Sequence, residues 1–188
     1  MRPATYLGAL FAALAAGWTI PADQPDGVYR VSYDANGTAA HTLIAPPLTP
    51  EEKRSLLLAP KPARSPPSRI AGRQSDATYC GSTSDAALHH QSTDNAVQAL
   101  KNQCNPGGIA SGYDFYSIAG STVAYVCNFG STSWTCTVND LTNDYAHITN
   151  ICGWYQSGWR IRWPATNRGA QIGYEPSWEN FCGRGTSG

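Results

Sequence analysis

Runs of aromatic and β-branched residues predict a β-sheet in the second half of the chain. Two of these runs, YDFYSI and TVAYVCN, are separated only by residues 119–121, which is the length of a hairpin turn. A third run covers residues 133–138. A further hairpin is predicted over residues 154–174, where Trp159 and Arg160 face opposite sides because side chains alternate along a strand.

Apolar residues at helical spacing predict two helices. The first covers the run NAVQALKNQC, which Asp94 can cap and which the sequence NPGG at residues 105–108 ends. The second covers residues 140–152, with Asp140 as its cap and Gly153 directly after its last residue. Its apolar stripe consists of Leu141, Tyr145, Ile148 and Cys152. This order of elements predicts an α+β sandwich, stapled by disulfides, in which two helices pack on one face of an antiparallel sheet.

Another hairpin is predicted before this region, within residues 19–44. Apolar and polar positions alternate up to a turn formed by the sequence DANG, and a second extended run follows the turn. The turn contains Asn36, which starts the N-glycosylation sequon Asn-Gly-Thr. Because a two-stranded hairpin alone is marginally stable, we expect this one to be loosely docked or removed.

The N-terminus has the pattern of a secretory signal peptide. Arg2 precedes the apolar run at residues 7–16, and this run ends in small residues. We therefore expect residues 1–17 to be a signal peptide that is cleaved after Gly17. The apolar run is too short to span a bilayer, which takes roughly 20 residues, so no membrane span is expected.

Residues 45–73 are rich in proline, alanine, serine and basic residues and lack a regular period, which is typical of an extended, disordered linker. Within them, Lys53 and Arg54 form a dibasic pair of the kind that kexin-type processing proteases cut. We expect residues 18–73 to be a pro-segment or a flexible N-terminal arm with a hairpin, and residues 74–188 to form a cysteine-rich α+β domain. An arm that stays uncut is the alternative.

An even number of cysteines lies in the C-terminal part and predicts a disulfide framework. These residues are Cys80, Cys104, Cys127, Cys136, Cys152 and Cys182. Many pairings are open, and Cys127 with Cys136 is the favoured single bridge because the two are close enough in sequence to face each other across a hairpin. The spacing contains no paired CxxC and no neighbouring histidine, so neither a metal site nor a cofactor is expected.

The formal net charge is zero, which argues against a nucleic-acid partner and against attraction to a membrane surface. Lysine and arginine concentrate before Gln74, and the part that follows is mildly acidic, which disfavours a surface that tracks phosphates. Charged residues are few, while Gly, Ser, Thr, Asn and Tyr are abundant, as is typical of an extracellular protein.

No residue cluster in the sequence establishes a catalytic chemistry, and no catalytic residue is assigned. His89 and His90 are adjacent, so on a helix they point about 100° apart and cannot converge on one site. Two enzymatic alternatives stay open, a carboxylate pair for glycoside cleavage and a ribonuclease site. Their candidate residues are Glu175, Glu179, Asp140, Asp144, Arg160, Arg162 and His147. An α/β-hydrolase is not expected because the sequence lacks GxSxG.

The last predicted hairpin offers a candidate binding surface. Arg160 and Arg162 share one side of its first strand and stand beside Tyr155 and Tyr174. Arginine and aromatic residues dominate the hot spots of protein interfaces. The alternative is that the arginines only protect the edge of the sheet against aggregation while the tryptophans fill the core.

Three segments of the cysteine-rich part, AYVCNFG, ITNICGWYQSGW and IGYEPSWENFCGRG, resemble in their order the small secreted cysteine-rich proteins of filamentous fungi. The layout is similar to that of the killer-toxin-like and necrosis-inducing extracellular effector families, and the resemblance covers residues 80–182. It implies a compact α+β sandwich, secretion, and action on host or competitor cells without established catalysis.

We therefore expect a secreted fungal effector of the virulence type, a toxin-like monomer that binds a host target without catalysis. Its partner is expected to be a protein or a cell-surface component of a host or competitor cell. Two alternatives are a secreted antimicrobial or killer protein against competing microbes, and a small secreted hydrolase that acts on RNA or polysaccharide. Membrane-active antimicrobials are usually cationic, which the C-terminal part is not.

Overall fold

The computed structural model describes residues 17–58, 77–81, 87–104, 113–130, 136–162 and 169–183. The strands are β1 (Gly27–Tyr33), β2 (Ala39–Ala45), β3 (Ala77–Cys80), β4 (Tyr113–Ala119), β5 (Thr122–Asn128), β6 (Gly158–Arg162) and β7 (Ala170–Pro176). The helices are α1 (Pro50–Leu58), α2 (His90–Gln103) and α3 (Val138–Cys152). All strands join one antiparallel sheet in the order β2-β1-β4-β5-β7-β6-β3. The described chain is thus an α+β protein, as the sequence predicts.

Three hairpins form where the sequence predicts them. β4 and β5 pair around a turn in which Gly120 has a φ of 59°, a left-handed conformation that glycine adopts without strain. β6 pairs with β7, and β1 pairs with β2. Local alternation and turn chemistry therefore identify these pairs correctly.

The position of the N-terminal hairpin differs from the expectation of a loosely docked arm. β1 pairs with β2 on one side and with β4 on the other, so it lies inside the sheet. Val28 and Val31 project to opposite faces of β1 and are both fully buried. β4 is the third strand that pairs with this hairpin, and a third strand removes the marginal stability of an isolated hairpin.

The linker prediction is wrong for residues 50–58, which form α1. Thr49 and Glu52 make a capping box at the start of this helix: the Thr49 N–H donates to Glu52 Oε2 at 2.7 Å, and the Glu52 N–H donates to Thr49 Oγ1 at 3.3 Å. The many prolines of this segment led to the linker prediction, although a proline at the first helical position, such as Pro50, favours a helix start. Residues 59–73 of the predicted linker lie outside the described residues.

The strand predicted over residues 133–138 is not formed in its described part. Cys136 and Thr137 lie outside any strand, and Val138 is already the first residue of α3. Residues 133–135 lie outside the described ranges. β3, which the sequence analysis does not predict, instead pairs with β6 at the edge of the sheet.

Both longer helices begin earlier than predicted. α2 is capped by His89 rather than Asp94, and α3 is capped by Thr137 rather than Asp140. Asp140 serves the α3 start in a different way, because its carboxylate accepts a hydrogen bond of 2.7 Å from the Thr137 hydroxyl. Gly153 ends α3 as its C-cap, one position earlier than the predicted C′ role, with a φ of 104° and a ψ of 164°; its N–H donates to the Thr149 carbonyl.

All six cysteines form disulfides, as the even count predicts, but the favoured bridge between Cys127 and Cys136 is wrong. The bonds join Cys80 with Cys152, Cys104 with Cys136, and Cys127 with Cys182. The prediction failed because β5 pairs only with β4 and β7, so no strand after it brings Cys136 beside Cys127. Cys136 lies at the start of α3 and bonds to the end of α2 instead.

The sheet separates two apolar clusters. Ala124 and Val126 of β5 join Leu100 of α2 and Ile148 of α3 in the first cluster. The alternate residue Tyr125 belongs to the second cluster on the other face. That second cluster is completed by Trp18, Tyr29, Val31, Tyr116, Ile118, Val123, Cys127, Phe181 and Cys182. No helix within the described ranges is long and apolar enough to cross a membrane.

Candidate functional site

A groove lies beside the start of α2, between this helix and α1. It has a volume of about 550 Å³. Leu57 contributes to it from α1 and is 64% exposed, whereas Leu88 is buried. The lining residues are Leu56, Leu57, Ala87, Leu88, His89, His90, Gln91 and Asp94. We call this feature the α2 groove.

The start of α2 fixes the position of the two histidines in this groove. His89 is the N-cap residue, and its Nδ1 accepts a hydrogen bond of 3.3 Å from the Ser92 N–H. The same nitrogen lies 3.0 Å from the Ser92 hydroxyl oxygen. His89 Nδ1 therefore acts as the capping acceptor at the start of α2, which fixes the orientation of its ring.

Tyr155 lies next to the groove in a strained backbone conformation. Its φ is 58°, a value that residues other than glycine, and bulky ones above all, rarely adopt. The carbonyl of Tyr155 accepts a hydrogen bond of 2.8 Å from the Leu88 N–H. This bond ties the loop after α3 to the segment before α2 and holds the strained residue in place. Such strain concentrates at functional sites, so it marks Tyr155 as a residue whose position matters.

Three rings form a row along the edge of the groove. The His90 ring stacks on Tyr155 with a centroid distance of 3.9 Å and an interplanar angle of 18°. Tyr155 in turn lies 5.9 Å from the ring of Trp154, which is 39% exposed. We call Trp154, Tyr155 and His90 the aromatic row. Tyr155 itself is buried, so the exposed aromatic surface of the row comes from His90 and Trp154.

The titratable side chains of the groove already make structural bonds. The Tyr155 hydroxyl donates a hydrogen bond of 3.2 Å to Asp94 Oδ2, and Nδ1 of His89 caps α2. His90 uses the face of its ring for stacking. The groove therefore provides contact surface with a few polar groups, and its described residues do not converge on a common reacting atom.

The described residues contain one cluster of metal-ligand type, made by Asp114, Cys127 and Cys182. Its two cysteines are bonded to each other, so they offer no thiolate to a metal. Asp114 is also engaged elsewhere: it accepts hydrogen bonds from the Trp18 indole at 3.0 Å and from the Tyr33 hydroxyl at 2.7 Å. This cluster is part of the core and not a metal site.

Asp114 is a buried carboxyl that holds the N-terminal hairpin to the sheet. Burial raises its pKa, and the hydrogen bonds from Tyr33, Asn128 and Trp18 act against the rise. Burial and the neighbouring Asp114 charge raise the pKa of Tyr33, so that hydroxyl stays protonated as the donor. Asp114 therefore has a structural role as a buried hydrogen-bond acceptor between the N-terminal segment and the sheet.

The residues predicted to form a binding surface on the last hairpin lie in different environments. Arg160 Nη1 is 2.9 Å from Asp144 Oδ1, and Arg162 Nη1 is 3.1 Å from Asp144 Oδ2. Tyr174 is buried, and its hydroxyl lies 3.0 Å from that of Thr149. Tyr155 is buried beneath the groove's edge, where it stacks on the lining residue His90. A binding role for the partly exposed Arg162 stays a prediction.

The carboxylate of Asp144, a buried residue of α3, forms ion pairs with both arginines. Its side chain is 2% exposed, against 17% for Arg160 and 35% for Arg162. Burial raises the pKa of Asp144, and the positive charges of both arginines act against that rise. A carboxylate that is desolvated and held between two guanidinium groups is typical of a structural ion pair.

Glu175, one of the carboxylates considered for glycoside cleavage, does not form a pair with Asp144. Glu175 is buried and accepts a hydrogen bond of 2.5 Å from the Tyr125 hydroxyl, on the face of the second cluster. Asp144 binds Arg160, which pairs with Ile172 and shares the face of the first cluster. The sheet therefore separates Glu175 from Asp144, so the two cannot act on one glycosidic bond.

The predicted dibasic pair and glycosylation residue lie at the surface. Arg54 is exposed and Lys53 is partly exposed on α1. Asn36 is exposed in the β1–β2 turn, where its N–H donates to Asp34 Oδ1 at 2.8 Å. Gly17 is the first described residue, and residues 1–16 of the predicted signal peptide lie outside the described ranges. Cleavage and glycosylation stay predictions.

The sequence analysis missed the α2 groove. One signal was present, because Thr49 followed by Glu52 is the pattern of a capping box and predicts the helix that carries Leu57. The other wall, at the start of α2, is held by Tyr155, which stacks on His90 and accepts from the Leu88 N–H although it lies far away in sequence. No local pattern encodes such a contact.

The chain was compared with protein families, curated proteins and solved structures. No protein-family model matches it, and no curated protein and no solved structure shows significant similarity to it.

Proposed function

We propose that this protein is secreted and acts by binding a partner protein through the α2 groove, without catalysis. The observation that carries the proposal is an exposed ring beside an exposed leucine: His90, which the buried Tyr155 holds in place by stacking, lines the same groove as Leu57, which is 64% exposed. Apolar side chains that line a groove with polar residues at its rim can serve as docking points for a partner. The partner's complementary chemistry is one or two apolar side chains.

Binding is favoured over hydrolysis because the candidate catalytic groups have structural partners. Asp144 pairs with Arg160 and Arg162, and Glu175 accepts from Tyr125. An enzyme site requires an acid, a base or a nucleophile that can reach a substrate. The same ion pairs weaken the ribonuclease alternative, since both arginines already contact a carboxylate rather than standing free for phosphate.

The architecture is consistent with an extracellular effector-type role on a host or competitor cell. We infer that α2 and α3 pack side by side on one face of the sheet, since Leu100 and Ile148 share a cluster with Val126 of β5. Three disulfides crosslink this body, and such bonds persist in oxidising compartments. A crosslinked scaffold with a docking groove suits a protein that works outside the cell producing it.

A matched pair of substitutions tests the groove. Leu57→Asp introduces a charge into the groove, and Leu43→Asp introduces the same charge at a leucine of β2 that is 53% exposed and does not line the groove. Each purified protein is infiltrated into plant tissue, and cell death and immune output are recorded. We expect the native chain and Leu43→Asp to give the same response and Leu57→Asp to lose it.

A second measurement separates binding from hydrolysis. The purified chain is assayed on RNA and on polysaccharides beside variants in which Asp94, Asp144 or Glu175 is replaced by alanine. We expect no turnover above that of a heat-treated sample. Turnover that one substitution abolishes would contradict the binding proposal, as would a full tissue response from Leu57→Asp.

A further inference from the structure

The N-terminal part of the sheet has no covalent crosslink to the rest of the protein. All six cysteines lie at or after Cys80, and the three disulfides join them only to one another. Residues 17–58 contain no cysteine, yet they supply β1, β2 and α1. The backbone between α1 and β3 is therefore the one covalent link between the two parts.

The contacts across this boundary are those of a protein core. β1 pairs with β4 along residues Gly27 to Ser32. Trp18 and Val31 are buried in the second cluster, and Val28 is buried in the first. The Trp18 indole also donates to the buried Asp114 of β4. Obligate interfaces between separate chains are built from contacts of the same kind.

The dibasic pair lies just after this docked part, in the least anchored helix. α1 has no buried residue, and Arg54 and Ser55 on either side of the candidate bond are exposed. Leu56 provides the contact with the core cluster. An exposed helix with so few buried contacts opens locally at low cost, and such segments are preferred sites of proteolysis.

We propose that the Arg54–Ser55 bond is a processing site for a dibasic-specific protease, and that cutting it produces a two-chain protein. Hydrolysis adds water across this peptide bond, so Arg54 gains a carboxylate and Ser55 gains an amino group. The chain that ends at Arg54 stays bound as strands β1 and β2. Processing therefore converts a covalent part of the sheet into a non-covalent subunit that can exchange, rather than removing a pro-segment.

The cut also lies beside the α2 groove. Ser55 precedes Leu56 and Leu57, which line the groove from α1. Cleavage frees the start of this segment, so processing and groove binding are coupled if the groove has the proposed function. The two-chain state itself does not depend on that function, and the following experiment measures it without any partner.

The purified folded chain is treated with a kexin-type endoprotease and examined by intact mass and by size-exclusion chromatography without reductant. We expect one cut after Arg54, co-elution of both pieces in native buffer, and their separation in concentrated urea with the disulfides intact. A labelled synthetic peptide of residues 18–54 is then added. It should enter the cut protein and not the uncut protein.

Two variants make the result specific. Lys53→Ala combined with Arg54→Ala should resist the protease in the folded chain. Val31→Ala deletes buried methyl groups from β1 and should speed peptide exchange in the cut protein roughly tenfold or more. The proposal is overturned if the folded native chain resists the protease while the unfolded chain is cut. It is equally overturned if the two pieces elute apart in native buffer.

Discussion

Trp18 and Phe181 join the two ends of the described chain. Their ring centroids lie 4.8 Å apart with an interplanar angle of 29°. The Trp18 N–H donates to the Phe181 carbonyl at 2.9 Å, and the Phe181 N–H donates back at 2.8 Å. Cys182 follows Phe181 and is bonded to Cys127 of the central strand β5. The segment around Trp18 is thus anchored to the centre of the sheet.

This anchoring predicts a large effect for Trp18→Ala. The side chain is 2% exposed and stacks on Phe181 and Tyr116, so its removal leaves a cavity between packed rings. We expect the free energy of unfolding to fall by about 3–5 kcal/mol, as is usual for buried aromatic residues. Chemical denaturation with the disulfides intact measures this change.

The matched control for Trp18 is Trp178→Ala. Trp178 is 72% exposed in the turn after β7, so its loss should change the free energy of unfolding by about 0.5 kcal/mol or less. Equal effects of the two substitutions would show that Trp18 is not packed as described.

Local sequence signals predicted the hairpins but not the complete sheet. The turn sequences and alternation that define β1 with β2 and β4 with β5 lie within short stretches of chain. The pairing of β1 with β4 joins residues such as Gly27 and Ile118, which are far apart in sequence. Non-local pairings of this type depend on which edge is free in the folding sheet, and a single sequence does not show that.

The candidate site was predictable to a smaller extent than the fold. Residue type alone placed Tyr155 among the binding candidates, but it also selected Arg160, which pairs with the buried Asp144. The sequence shows that a charge is present and not which countercharge faces it. Likewise, His90 gains its significance only from stacking on Tyr155. Contacts between distant elements decide which polar residues stay available for a partner.

The ion pairs of Asp144 predict an asymmetric response to substitution. Asp144→Asn removes the buried carboxylate that both Arg160 and Arg162 contact, so we expect a loss of about 3–5 kcal/mol in the free energy of unfolding. Arg162→Ala should cost about 1 kcal/mol or less, because Arg162 is partly exposed and Arg160 keeps its contact with Asp144. Urea denaturation of both variants tests the ranking, and the reverse order would contradict it.

His41 predicts a pH dependence of stability. Its ring packs against Trp18 and Tyr116, and its Nδ1 lies 3.0 Å from the Tyr116 hydroxyl. Burial lowers the pKa of His41 from the usual 6.5. The unfolded chain therefore binds a proton at higher pH than the folded chain, and the free energy of unfolding falls as the pH decreases below about 6.5.

The contribution of His41 is isolated by comparison with His41→Phe, which keeps an aromatic ring but does not titrate. This control is needed because burial raises the pKa of Asp114, which makes stability rise as the pH falls through the range above the usual 3.8. We expect the native chain to lose more stability than His41→Phe between pH 7 and 5 in parallel denaturation curves. If the free energy of unfolding changed equally with pH in both proteins, His41 would not be the source of the pH dependence.

The exposure of the cysteines predicts an order of disulfide reduction. A reductant must reach a sulfur atom before thiol–disulfide exchange can occur, so access controls the rate. Cys80 is exposed and Cys152 is partly exposed, whereas Cys127 and Cys182 are 0% and 4% exposed. We expect mild dithiothreitol treatment to open Cys80–Cys152 first and Cys127–Cys182 last. Alkylation of the released thiols followed by peptide mass mapping identifies the order, and labelling of Cys127 before Cys80 would mean that the β5 bridge is not enclosed by the core.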